Sequence, residues 1–217
     1  MKYVPALTVA VAVLFVSAPI LVAMAPYEST MGLVQKIFYF HVPSWIAMYT
    51  AIYVNGAASA LFLFRSRPAA DRVGAASAEL CVLFGAMGLV TGPLWGVKAW
   101  GHWWIWEPRL TMALLLWLVY ISYLLVRRYG GPGSEKLAAA VGVFGTAVSP
   151  FVYVSVNLWR TIHPLNSVVP TLKSPFRPAF GISSLAFLAL FGLLLALRVE
   201  LGRRQAALDA LYLADED

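Results

Sequence analysis

Residues 179–198 read AFGISSLAFLALFGLLLALR, with no charge before Arg198. A helix of about twenty residues rises roughly 30 Å, the thickness of a bilayer's hydrocarbon core. Five earlier stretches have the same character, near 4–24, 43–64, 76–95, 109–126 and 137–158. The composition agrees. The 217 residues are 61% hydrophobic and only 12% charged, against roughly 25% charged in a soluble domain, and the mean hydropathy is +0.77. Backbone groups in lipid must find partners within their own segment, so these stretches are expected to be helices. The expected fold class is all-α: a polytopic integral membrane bundle of six transmembrane helices, one domain over residues 1–217.

The first stretch has a rival reading. Lys2, an apolar run and VAMA at 22–25 have the look of a secretory signal. A cut after Ala25 would fall directly before Pro26, a poor site, so the segment is expected to stay as a membrane helix.

The net charge of +6 reads as a topology signal, not as a nucleic-acid surface. Arg65, Arg67 and Arg72 separate the second and third spans, and Arg127, Arg128 and Lys136 the fourth and fifth. Arg198, Arg203 and Arg204 follow the sixth, and Lys2 precedes the first. The positive-inside rule places all of these, and both termini, in the cytoplasm. The loops near 25–42, 96–108 and 159–178 then face outward. Lys36, Lys98, Arg109, Arg160, Lys173 and Arg177 lie on that side and need another explanation. Residues 199–217 form a short polar cytoplasmic tail, expected to be a solvated helix end that frays.

Some chemistries are excluded. Cys81 is the single cysteine, set in an apolar run, and no CxxC or CxxCH occurs. The chain is therefore neither a thiol oxidoreductase nor a covalent c-type cytochrome. It also lacks a GxxxxGK[ST] loop for ATP.

The three histidines, His41, His102 and His163, each fall in a different outward loop. Pro43 suits the first turn of a helix just after His41, and Pro164 breaks the chain just after His163. Neutral imidazoles are good iron ligands, and two can fill both axial positions of a haem. Interface histidines bonded to water or carbonyls are the plainer alternative.

Residues 95–110, WGVKAWGHWWIWEPRL, hold five of the eight tryptophans: Trp95, Trp100, Trp103, Trp104 and Trp106. An interfacial belt would place one or two at each helix end. Gly92, Pro93, Gly96 and Gly101 are expected to break the helix here and Pro108 to restart one. If residues 99–107 coil, Trp100, Trp103, Trp104 and Glu107 share a face. That slab of indole suits a large flat apolar ligand with a wet edge, as haem is. Lys98, Arg109, Arg160, Lys173 and Arg177 are then candidate partners for its propionates; contact with lipid headgroups is the alternative for each. Glu107 is expected to cap a helix, to pair with Arg109 or Lys98, or to orient a ligand imidazole.

WGVKAWGHWWIWEPRLT at 95–111 resembles the WWD motif, roughly WGxxxWGxWWxWDxRLT, of the haem-handling proteins of cytochrome c biogenesis. KIFYFHVPSW at 36–45 and LWRTIHPLNS at 158–167 are similar to the two histidine-bearing outer segments of the CcmC family within that superfamily. The resemblance covers the chain in length, span count and motif order. It implies that haem b is held at the periplasmic face of a bacterial inner membrane, with His41 and His163 as axial ligands. Trp95, Trp100, Trp103, Trp104 and Trp106 would form the platform, with Glu107, Arg109 and Arg160 beside it. Haem would pass to the chaperone CcmE, with CcmA, CcmB and CcmD completing the complex and CcmA supplying the ATPase. The chain itself would bind and deliver without chemistry of its own. Two positions depart from the pattern. Glu107 stands where the motif has Asp, one methylene longer. His102 stands at a position expected to vary, as a polar loop residue or a third ligand. Two other classes compete: a haem lyase or membrane oxidoreductase like CcmF and CcsA, which carry more spans and more histidines, and a structural subunit whose tryptophans are interfacial anchors.

Overall fold

A computed structural model describes residues 3–164 and 168–215. Lys2, the 165–167 part of the second histidine segment and the last two residues of the tail lie outside them. The order is α1 (Val4–Met24), a 3₁₀ turn (Leu33–Ile37), α2 (Phe38–Arg65), α3 (Pro68–Trp100), α4 (Pro108–Tyr129), α5 (Ser134–Leu158), a short 3₁₀ turn (Ser174–Phe176) and α6 (Arg177–Asp215). All six α-helices are long and apolar enough to cross a membrane, and no strand occurs among the described residues. Pro68 and Pro108 open α3 and α4, where a missing N–H is harmless.

α2 is the central helix: it packs on α3 along its length and also against α5 and α6, while α1 packs mainly on α6. The core between them is filled by fully buried Met48, Ile52, Phe84 and Tyr120, with Tyr123 and Phe187 almost as deep. Small residues on α3 let this happen. A Cβ on Gly85 would come within 2.5 Å of the Trp117 ring and one on Gly88 within 2.5 Å of Trp45. Association in lipid depends on such close approach, because lipid tails give apolar faces no reason to leave them.

Two expectations are corrected. α3 does not break at Gly92, Pro93 or Gly96; it runs unbroken from Pro68 to Trp100. The glycines act as packing gaps, and the stop is Gly101, whose φ of +78° suits a residue without a side chain. α2 begins at Phe38, not at Pro43, so His41 sits inside a helix and not in a loop. The preceding 3₁₀ turn feeds straight into it, anchored by buried Phe38 and Tyr39. The tail is a solvated helix end: α6 continues as helix to Asp215, with residues 203–214 exposed.

Four of the ten basic residues used as topology signals form ion pairs. Arg127 grips Asp71 with two bonds, of 2.5 and 2.8 Å. Arg198 does the same to Glu79 at 2.5 Å each, and Arg203 and Arg204 both reach Glu200 at 2.8 Å. Asp71 opens α3, and Gly92 lies twenty-one residues further along it, roughly 30 Å away. The histidine and tryptophan segments gather at that far end.

Candidate functional site

A cavity of about 640 Å³ opens among the ends of α2, α3, α4 and α5 and the loops between them. The size falls within the roughly 300–1,000 Å³ usual for small-molecule sites. All three histidines line it, although they come from α2, the α3–α4 connection and the α5–α6 connection.

His41 is buried, at 7% exposure. Trp95 packs against its ring edge-on at 5.7 Å and Trp45 at 6.2 Å. Its Nδ1 lies 2.9 Å from the Thr91 hydroxyl. His163 is part-buried, with Nδ1 2.9 Å from the Pro164 carbonyl oxygen. A carbonyl only accepts, so Nδ1 of His163 carries the proton and Nε2 keeps its lone pair. Burial, with help from the charge of Arg109, lowers the His163 pKa to about 4, so the ring is neutral near pH 7, the form that binds metal.

The tryptophans divide into two kinds. Trp95 and Trp100 lie on α3 and stack on each other at 6.1 Å. Trp95 is buried and donates its Nε1–H to the Met31 sulfur at 3.3 Å. Met31 in turn is held by its backbone N–H on Glu28, 2.7 Å away; this bond and the one from Thr30 lower the Glu28 pKa. Trp103, Trp104 and Trp106 belong to residues 101–107, which are not helical. The face shared by Trp100, Trp103, Trp104 and Glu107 therefore does not form. In its place Trp104 and Trp106 meet edge-to-face at 5.7 Å. Trp103 is 60% exposed yet lines the cavity; Trp106 is 75% exposed and does not line it. Nε1 of Trp104 is buried without a hydrogen-bond partner among the described residues. A buried donor left alone costs about 1–3 kcal/mol.

Glu107 is buried and caps α4, accepting the Leu110 N–H at 3.2 Å. Its other oxygen accepts the Thr161 hydroxyl, and Thr161 Oγ1 accepts the His163 N–H at 3.0 Å. The carboxylate thus stands behind the cavity and ties the His163 segment to α4. It does not line the wall itself.

Arg109 does line the wall, and its Nη1 donates to the carbonyls of Val152 and Tyr153 on α5. Lys36 donates to Ala23 O at 2.8 Å, at the end of α1, and Arg177 to Leu172 O at 2.7 Å. Ala23 O is a helix-end carbonyl without an intrahelical partner; all three of these outward cations donate to the backbone. Arg160, Lys98 and Lys173 are exposed and outside the cavity lining. Thr91, Trp45, Tyr49 and Thr161 were missed as site or supporting residues. The helical spacing of Gly85, Gly88, Gly92 and Gly96 is the sequence signal for the α3 face that receives Trp45 and His41.

These features define a multi-pass membrane protein with an apolar ligand cavity at one end, walled by indoles and presenting imidazole nitrogens. The family model for Heme exporter protein C (CcmC) matches residues 1–210. The chain is 33% identical over 192 residues to Heme exporter protein C of Bradyrhizobium diazoefficiens, covering 84% of this chain and 73% of that one. It is 32% identical over 165 residues to Heme exporter protein C of Escherichia coli K12, covering 70% of this chain and 65% of that one, slightly under two thirds of its length. A third similar protein, Heme exporter protein C of Haemophilus influenzae, is 30% identical over 178 residues, 79% of this chain and 70% of that one. The chain belongs to the Heme exporter protein C family.

Proposed function

We propose that this protein handles haem in cytochrome c maturation. Its cargo is haem b, held between His41 and His163 as axial ligands, with the tryptophan-rich WWD loop against the macrocycle, and passed to the chaperone CcmE. The observation that carries this reading is the pair of imidazoles, brought from α2 and from the α5–α6 connection to one apolar cavity. The His163 Nδ1 is engaged with a carbonyl, which leaves Nε2 for iron. The chemistry of the walls fits the cargo: indoles from 95–104 for a flat ring and Arg109 for a propionate. All three histidines of the chain line this one cavity, which speaks for one haem and against a two-haem lyase or oxidoreductase.

The same reading places the cavity on the periplasmic side of a bacterial inner membrane, both termini in the cytoplasm and the chain beside CcmA, CcmB and CcmD. Its single domain spans residues 1–217, with 199–217 on the cytoplasmic side. The test is the visible spectrum of the purified protein. A Soret band with a bis-imidazole signature is expected in wild type. It should shift or bleach in His41→Ala and in His163→Ala, since loss of an axial ligand changes coordination outright, and added imidazole should partly restore it. Wild-type spectra from both variants defeat the assignment.

A further inference from the structure

We infer that Thr91 is a positioning residue for His41: its hydroxyl accepts the Nδ1–H and so turns a bare Nε2 toward the cavity. The inference deepens the reading of His41 as an iron ligand and rests on it. The argument turns on a single proton. Thr91 Oγ1 lies 2.7 Å from the Met87 carbonyl oxygen and 2.9 Å from His41 Nδ1. A carbonyl has no proton to give, so the short contact to Met87 uses the one hydroxyl hydrogen. The imidazole must then be the donor in the second contact. The opposite tautomer would leave two acceptor oxygens facing each other at 2.7 Å.

The rest of this α3 turn is shaped around the ring. A Cβ on Gly92 would lie 3.3 Å from His41 Cε1, a tight contact, and one on Gly88 would strike the Trp45 ring that packs on the same imidazole. Gly88, Thr91 and Gly92 sit one helical turn apart or adjacent, so one face of α3 supplies the gap, the acceptor and the clearance. The arrangement repeats at His163, whose Nδ1 is engaged by the Pro164 carbonyl. A donor bond at Nδ1 both fixes the tautomer and raises the basicity of Nε2, and removing such a partner typically costs about 10- to 100-fold in metal affinity.

The test uses the full-length protein in detergent, labelled with ¹⁵N in its histidine rings and free of haem. The His41 signals, identified by their loss in His41→Ala, are expected to show a protonated Nδ1 and an unprotonated Nε2. Thr91→Val should lose that preference and weaken haem binding about 10- to 100-fold, while Thr91→Ser, which keeps the hydroxyl, should retain both. A protonated Nε2 in the haem-free wild type overturns the inference whatever haem does. So does a Thr91→Val protein with unchanged tautomer and affinity; if His41→Ala still abolishes the haem spectrum, the ligand reading survives that failure. If His41→Ala binds haem as wild type does, the ligand reading and this inference fall together.

Discussion

Glu107 and Thr161 are joined side chain to side chain, the Thr161 hydroxyl donating to the carboxylate that caps α4. Fifty-four residues apart in sequence, they fasten the segment that carries His163 to the start of α4, because the same hydroxyl oxygen accepts the His163 N–H. The two oxygens of Glu107 reach both the Leu110 N–H and Thr161.

Breaking that fastening should loosen His163 before it unfolds the bundle. Thr161→Val leaves a buried carboxylate short of a donor, a loss of about 1–3 kcal/mol. Glu107→Ala removes the helix cap as well, for a further loss of about 0.5–2 kcal/mol. Thermal unfolding in detergent and haem titration should show a modest drop in stability and a clear loss of haem in both. Full haem retention in Glu107→Ala would show that His163 is held by other contacts.

Protonation of His163 sets an acid limit. Its pKa is lowered to about 4 by burial and by Arg109, against about 6.5 in an unfolded chain. Between those values the unfolded chain takes up a proton that the folded one refuses. This group's contribution to stability is therefore complete above about pH 6.5 and lost as the pH falls toward 4. Melting temperatures of the haem-free protein should fall from pH 7 to pH 5, less steeply in His163→Gln. Because the imidazole stays neutral in the fold, haem binding should hold nearly constant down to about pH 5.5. A half-loss near pH 6.5 would mean His163 titrates as a free imidazole.

The five tryptophans should separate by position. Trp95→Ala removes a buried ring packed on Phe38, Trp100 and His41, so stability should fall by about 3–5 kcal/mol. Trp103 and Trp104 lie on the non-helical loop and line the cavity. Their double replacement by Ala should spare the fold and lower haem per folded protein more than tenfold, taking roughly 1 kcal/mol for each stacking ring beyond its area. An unchanged haem-to-protein ratio, measured on monodisperse protein, would make them membrane anchors only.

Gly88 tests the packing of α3. An added methyl would meet Trp45 at 2.5 Å, and overpacking of this kind costs about 1–3 kcal/mol. Gly192→Ala on α6 is the control, since nothing lies within 4 Å of its missing Cβ; it should be neutral or slightly stabilising. Equal melting temperatures for the two variants would show that Trp45 moves aside freely.

Sidedness is open to reporter fusions after Arg128 and after Lys173. Opposite faces of the membrane are expected, with Lys173 outside. Activity on the same face for both would contradict a six-span arrangement with both termini inside.

Composition and hydropathy were enough to determine six spans and an all-helical membrane fold, because lipid admits few other ways to satisfy a backbone. The tryptophan run and the two histidine segments were also legible, since each is a local cluster of uncommon residue types. What the chain does at Gly92, Pro93 and Gly96 was not legible. Local propensity treats these residues as breaks, yet in the bundle the space beside Gly92 is taken by His41 from α2 and that beside Gly96 by Trp100, and the helix continues. The roles of the buried polar groups were likewise decided only by tertiary structure. Glu107, Arg109 and Thr91 find their partners 54, 43 and 50 positions away, and a hydrogen bond depends on distance in space and on which atom holds the proton, neither of which a linear sequence contains.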